Sequence, residues 1–372
     1  MTSTQVIENN LPENDELSFD DFRSIIINDY KIAFESRQAS LLGRKEVLTG
    51  KAKFGIFGDG KEVAQLAMAK AFKEGDWRSG YYRDQTFMFA SGMLTMPEFF
   101  AQLYANTDAD ADPASGGRQM NCHFATRLLD DEGNWMDLTT LKNSSADISP
   151  TGGQMARLVG LALASKLYRT NPELDYLTKF SVKGNEVAFG TIGNASTSEG
   201  VFFEAINAAG VLQIPMAVSI WDDAYGISVP AEYQTTKQDI SEILKGFQRN
   251  ETGGGYEIFK VRGWDYPGLC ETYEKAIQVC REQHIPVMIH VTEMTQPQGH
   301  STSGSHERYK DKARIDWENE YDCMIQMRKW MIESAIASDE ELNQLELTAK
   351  THIRDCQKRA WANFNAGMRT EL

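Results

Sequence analysis

The segment from Gly190 to Ser228 constrains the fold more than any other part of the chain. Asn185 to Ile192 reads as a buried strand carrying Val187, Ala188, Phe189 and Ile192. The small-residue turn Gly193-Asn194-Ala195-Ser196 follows. Ser198 and Glu199 then open a helix-patterned stretch to Leu212. Pro215 stops it, and Met216 to Trp221 is a second apolar strand. This is a β-α-β unit, and open parallel sheets bind ligands at the carboxyl ends of their strands. Oxygen side chains stand at both ends: Asn194 past the first strand, Asp222 and Asp223 past the second. Neighbouring strands would bring these tips onto one hard cation, which prefers oxygen ligands. The plainer alternative is an ordinary β-α-β unit with polar loop ends.

The same alternation continues downstream. Tyr256 to Val261 reads as a strand, Tyr266 to Gln283 as a helix and Pro286 to Val291 as a strand. This predicts an α/β fold: a mostly parallel sheet with helices on both faces. Upstream, Leu17 to Leu42 carries Phe22, Ile25, Ile26, Tyr30, Ile32 and Ala33 at helical spacing, for one or two helices. Helices are also expected over Lys61 to Lys73, Thr86 to Asn106 and Gln154 to Tyr168. A short one is expected over Lys237 to Phe247, and two charged ones over Trp317 to Phe364. Thr107 to Pro150 has little periodicity and reads as a long loop, functional or disordered. The expected organisation is a disordered lead over 1–16, an α/β domain over 17–315 and a helical extension over 316–372.

Composition narrows the class. The chain has 372 residues and a net charge of −15, which argues against a nucleic-acid partner. Anionic ligands would then need local positive charge. No stretch approaches roughly 18 uncharged apolar residues, so no membrane span is expected. The first sixteen residues lack the basic start and apolar run of a signal peptide. The five cysteines show no paired spacing, which suits a reducing, cytoplasmic location and fits no zinc pattern.

Four further stretches carry candidate chemistry. Gly58-Asp59-Gly60 is expected to be a turn before a helix. Tyr82-Arg83 follows a glycine turn, and its guanidinium could hold a phosphate with two hydrogen bonds. Ser149-Pro150-Thr151-Gly152-Gly153 precedes a helix and offers free backbone groups to a ligand. Gly299-His300-Ser301-Thr302-Ser303 follows a strand, and His300 could exchange protons near neutral pH. Surface packing and solvent loops are the bland readings of the Tyr-Arg pair and of the histidine loop.

Gly193-Asn194-Ala195 and Asp222-Asp223 are separated by 26 residues, Ser196 to Trp221. The layout resembles the thiamine-diphosphate motif, Gly-Asp-Gly and then Asn-Asn, with a carboxylate and a carboxamide exchanged. Further words fall in family order: Gly58-Asp59-Gly60-Lys61-Glu62-Val63, Tyr82-Arg83, Gly117-Arg118-Gln119-Met120 with His123, Ser149-Pro150, and Gly299 to Ser303. Over roughly Leu17 to Phe364 the chain resembles the alpha subunit of the decarboxylating component of 2-oxo acid dehydrogenase complexes. Gly-Arg-Gln-Met and His-Ser-Thr-Ser are similar to the branched-chain branch, whereas Gly304 stands where an acidic residue is usual.

The resemblance implies a thiamine-diphosphate-binding fold, thiamine diphosphate and Mg2+. Tyr82 and Arg83 would hold the diphosphate, with Gly193, Ala195 and Ser196 beside it. Asn194, Asp223 and the Tyr225 carbonyl would hold magnesium, with one negative ligand charge. Ser149 and Thr151 would contact the aminopyrimidine through backbone groups, and His300 would act catalytically. The implied activity is oxidative decarboxylation of a 2-oxo acid, pyruvate or branched-chain, with acyl transfer to a lipoyl carrier. A beta subunit or fused beta domain would complete the site with a glutamate, as two alpha with two beta, around a lipoyl acyltransferase core. Two other readings stay open: another thiamine-diphosphate enzyme such as a split transketolase, and a non-catalytic scaffold.

Overall fold

The computed structural model describes residues 18–251, 253–302 and 305–371. The lead over 1–16, Ser303 and Gly304 lie outside the described residues. The N-terminal half comprises α1 (Phe19–Leu48), α2 (Glu62–Ala71), β1 (Trp77–Ser79), α3 (Gln85–Ala90), α4 (Met96–Leu103), β2 (Asn143–Ser144) and α5 (Gln154–Thr170). The centre continues with β3 (Ala188–Gly193), α6 (Gly200–Leu212), β4 (Met216–Trp221), the hairpin β5 (Tyr225–Gly226) and β6 (Val229–Pro230), and α7 (Ile240–Ile243). Then come β7 (Glu257–Arg262), α8 (Tyr266–Gln283), β8 (Val287–Thr292), α9 (Lys312–Glu320), α10 (Cys323–Glu333) and α11 (Asp339–Glu371).

Six strands form one parallel sheet in the order β2-β1-β3-β4-β8-β7. Its central strands are apolar on both sides of the pleat, so both faces must be covered. Ala188, Ile192, Met216, Val218, Ile220 and Met288 pack with α5 and α6. Phe189, Ala217, Trp221, Val287, Ile289 and Val291 face the other way, into a core shared with α2 and α8. Residues of α1, α10 and α11 join that second core, so the C-terminal helices pack into the main body. Among the described residues no helix is long and apolar enough to cross a membrane.

Several local expectations change. The one or two helices expected over Leu17 to Leu42 are a single helix, α1, from Phe19 to Leu48, and Leu17 itself lies outside the described residues. The expected helix over Thr86 to Asn106 is two helices, broken where Gly92 takes φ +76°. The expected short helix near Lys237 is one turn, α7, between 3-10 turns, because Lys237 and Gln238 are left-handed. The C-terminal pair is three helices, and α9 begins at Lys312, ahead of the boundary drawn at 315. β1 and β2 were not anticipated. Three and two residues long, they are too short to show periodicity.

Those two strands decide where the site lies. From β1 the chain moves outward to β2, then returns to the other side of β1 as β3 and proceeds to β4. The β1/β3 boundary is therefore a topological switch point, where open sheets leave a crevice. Gly193 sits in register with Trp221, so Asn194 and Asp222 leave the sheet side by side.

Arg78 of β1 locks the crevice floor. Its fully buried guanidinium bonds Asp84 Oδ2 at 2.7 and 2.9 Å, Asp147 at 3.1 Å and Ser144 Oγ at 2.9 Å. Asp84 also accepts from Thr191 Oγ1 (2.5 Å) on β3 and Trp221 Nε1 (3.3 Å) on β4. Removing one partner of a buried ion pair strands the others. Arg78→Met is expected to lower unfolding stability by about 3–5 kcal/mol in a urea titration. A loss within the scatter of surface substitutions would contradict this role.

Candidate active site

A cavity of about 650 Å³ opens at the carboxyl ends of β1, β3 and β4. Tyr82, Arg83, Thr151, Gly193, Asn194, Ala195, Ser196, Asp223, Tyr225 and His300 all line it. Ser149 does not. Its hydroxyl lies 3.0 Å from His123 Nε2, and the residue is otherwise exposed. The word Arg118-Gln119-Met120 is also exposed, while Asn121, Cys122 and His123 behind it are buried.

Arg83 is brought in by the loop after β1. Gly58 permits this, because a Cβ there would sit 2.2 Å from the Arg83 carbonyl. The guanidinium is buried, donating to the carbonyls of Phe57 (2.5 Å) and His300 (3.0 Å) and resting over the Tyr82 ring. Among the described residues it forms no salt bridge. A buried cation without a carboxylate is costly unless an anion joins it. Asn194 stands across the cavity, and its Nδ2 is buried with no hydrogen-bond partner among the described residues. These groups fit a diphosphate: a fixed cation, a spare donor and a turn of small residues that admits close backbone approach.

The cation side differs from the sequence expectation. Asp223 Oδ1 accepts from the Tyr225 amide at 3.2 Å. Asp223 Oδ2 is taken by Lys61 Nζ at 2.9 Å and His300 Nε2 at 3.2 Å. Lys61 is 1% exposed, and its ammonium also donates to Thr295 O (2.9 Å) and Gln296 Oε1 (2.8 Å). Gly60 makes room for this at φ +88°, since a Cβ there would lie 2.1 Å from the Thr295 carbonyl. Burial pushes the Asp223 carboxyl up, but Lys61 and His300 outweigh it and hold Asp223 well below the usual carboxylate range. Burial lowers the His300 pKa, against the opposing pull of Asp223. His300 Nδ1 is buried and has no partner among the described residues. Asp222 Oδ2 is hydrogen-bonded to His290 Nε2 at 2.8 Å.

Asn194, Asp223 and Tyr225 are thus gathered at one cavity, yet their net charge is corrected. With Lys61 counted, the expected single negative ligand charge falls to zero. A magnesium ion bonded to Asp223 at roughly 2.1 Å would stand within about 5 Å of the Lys61 ammonium. Their repulsion is about 7 kcal/mol at an effective dielectric of 20, which cancels much of the carboxylate's attraction. The residues fit a diphosphate; they do not fit a tightly bound divalent cation.

Sequence reasoning missed Lys61, Tyr81 and the apolar rim of Phe54, Ile227 and Tyr233, all but Lys61 lining the cavity itself. A signal for Lys61 existed. Lys61 and Glu62 open an otherwise apolar, wholly buried helix start, and charges there require partners. Glu62 finds Arg37 at 2.6 Å, and Lys61 finds Asp223.

Comparison with known proteins agrees with this geometry. A family model described as "Dehydrogenase E1 component" matches residues 32–367. The chain belongs to the dehydrogenase E1 component family. It is 28% identical over 295 residues to the 2-oxoisovalerate dehydrogenase subunit alpha of Bacillus subtilis (strain 168), covering 78% of this chain and 77% of the relative. It is 24% identical over 347 residues to the pyruvate dehydrogenase E1 component subunit alpha of Acholeplasma laidlawii, covering 91% and 84%. It is 25% identical over 309 residues to the mitochondrial 2-oxoisovalerate dehydrogenase subunit alpha of Dictyostelium discoideum, covering 82% and 61%. Membership makes the chain a 2-oxo acid dehydrogenase component. It also implies thiamine diphosphate as cofactor and a beta subunit as partner.

Arg83→Ala is expected to weaken thiamine diphosphate binding about tenfold to a hundredfold in a calorimetric titration, the scale of a lost charge-assisted hydrogen bond. Unchanged affinity would remove Arg83 from the diphosphate site.

Proposed function

We propose that this chain is the diphosphate-binding alpha side of a 2-oxo acid dehydrogenase acting on branched-chain 2-oxo acids and passing the acyl group to a lipoyl carrier. The observation that carries it is the buried Arg83, unpaired by any described carboxylate, at the switch point of a parallel sheet. Bound thiamine diphosphate supplies a nucleophilic carbon and an electron sink for loss of carbon dioxide. The chain's own residues supply position and charge. Arg83 and Tyr82 hold the diphosphate from the β1 side, and Asn194 with the Gly193-Ala195-Ser196 turn holds it from the β3 side. Thr151 borders the cavity where the aminopyrimidine would lie. His300 is oriented through Nε2 by Asp223, which leaves Nδ1 to take or hold a proton at the reacting end.

The magnesium expected on Asn194, Asp223 and Tyr225 is not part of this reading, for the charge reason given above. The beta chain would cover the exposed side chains of Ile227, Val229 and Tyr233 beside the cavity. An α2β2 assembly on a lipoyl acyltransferase core is the arrangement we propose. A cytoplasmic location is proposed too, and five free cysteines are compatible with its reducing chemistry.

The test is co-expression with a candidate beta chain and an assay of acceptor reduction driven by different 2-oxo acids. We expect kcat/KM for 2-oxoisovalerate to exceed that for pyruvate about tenfold or more, the discrimination a few methylenes allow. A pyruvate preference would refute the branched-chain assignment, and inactivity on every 2-oxo acid would favour a scaffold. His300→Ala is expected to slow turnover about 10²-fold or more with the complex still assembled; near-normal turnover would exclude the assigned role.

A further inference from the structure

We propose that Lys61 is a built-in cation that replaces the electrostatic work of a divalent metal, so that the chain binds its cofactor's diphosphate without requiring a metal ion. This rests on the cofactor reading above and deepens it.

The charge layout carries the inference. Both oxygens of Asp223 are already engaged, Oδ1 by the Tyr225 amide and Oδ2 by Lys61 and His300. Lys61 cannot easily leave. Its ammonium is buried and makes three hydrogen bonds, so departure would strand Asp223, Thr295 O and Gln296 Oε1 together. On the ligand side, Asn194 brings no charge, and its Nδ2, without a partner among the described residues, is a donor that suits an oxyanion. Arg83 adds a second buried cation, this one without a carboxylate partner among the described residues. Asp222, the remaining acid at this strand end, is taken by His290. Arg83 therefore lines the cavity as a buried cation with an open donor on Asn194, Lys61 behind the lining neutralises Asp223, and the other carboxylate of the lining, Glu199, is exposed to solvent. That arrangement attracts a diphosphate and leaves a divalent cation no unpaired buried carboxylate in the lining.

The experiment uses the full chain after dialysis against chelator. Thiamine diphosphate is titrated calorimetrically in EDTA and again in millimolar Mg2+. If no heat appears, the titration is repeated with the co-expressed beta chain. The expected result is a Kd that differs less than about threefold between the two conditions. In Lys61→Gln, Asp223 is released from its ammonium. Binding in EDTA should weaken at least about tenfold and recover with Mg2+. A second readout is Mn2+ alone, followed by electron paramagnetic resonance: one bound ion in Lys61→Gln and none in the parent chain. Parent binding that needs Mg2+ by tenfold or more would overturn this inference and leave the cofactor reading standing. Failure to bind in either buffer, alone and with the beta chain, would overturn both. A Lys61→Gln chain that does not fold leaves the parent titration and the parent Mn2+ spectrum to decide.

Discussion

The site depends on one buried guanidinium. Arg78 joins β1 to the loop carrying Asp84, to β2 through Ser144 and to the Asp147 segment, and Asp84 extends the network to β3 and β4. Strands as short as β1 and β2 supply few ladder hydrogen bonds of their own. The charge network therefore sets where the Tyr81-Tyr82-Arg83 loop stands. Burying three ionised groups costs several kcal/mol apiece unless each is paired and hydrogen-bonded. Burial still pushes Asp147 up to about 6, despite the pull of Arg78. What the network supplies in return is register: the crevice opens where Arg83 and Asn194 can both reach it.

The same accounting of buried charge explains the departures from the expected motif. An aspartate where a carboxamide is usual adds negative charge to a dry place. Lys61, arriving from the turn before α2, cancels it, and Asp222 Oδ2 hydrogen-bonds His290 Nε2. Gly58-Asp59-Gly60 is therefore more than a turn. Gly58 admits the Arg83 backbone, Gly60 admits the Thr295 carbonyl, and Asp59 accepts from the Gln298 amide at 3.0 Å. One short segment thus positions the diphosphate cation, the charge-balancing lysine and the loop bearing His300.

Much of the fold was legible because burial leaves a mark on long elements. β3, β4 and β8 read as apolar runs, and α8 shows its helical period from Tyr266 to Gln283. Elements of two to four residues carry no periodicity, which is why β1, β2 and the hairpin β5–β6 escaped. Residues tied to spaced words, such as Arg83, Asn194, Asp223 and His300, could be named in advance. Ser149 shares such a word but is not in the cavity lining, since spacing along a loop does not say which of its residues reach the crevice.

The amino-acid sequence by itself determined the class of fold, the strand ends that would carry polar groups and the family to which the chain belongs. Those properties follow from local pattern: period, turn chemistry and spacing along one segment. Only the tertiary structure decided the charge of the site. Lys61 and Asp223 are 162 residues apart and meet in a buried pair. Their interaction depends on distance and dielectric, and neither can be read from linear order.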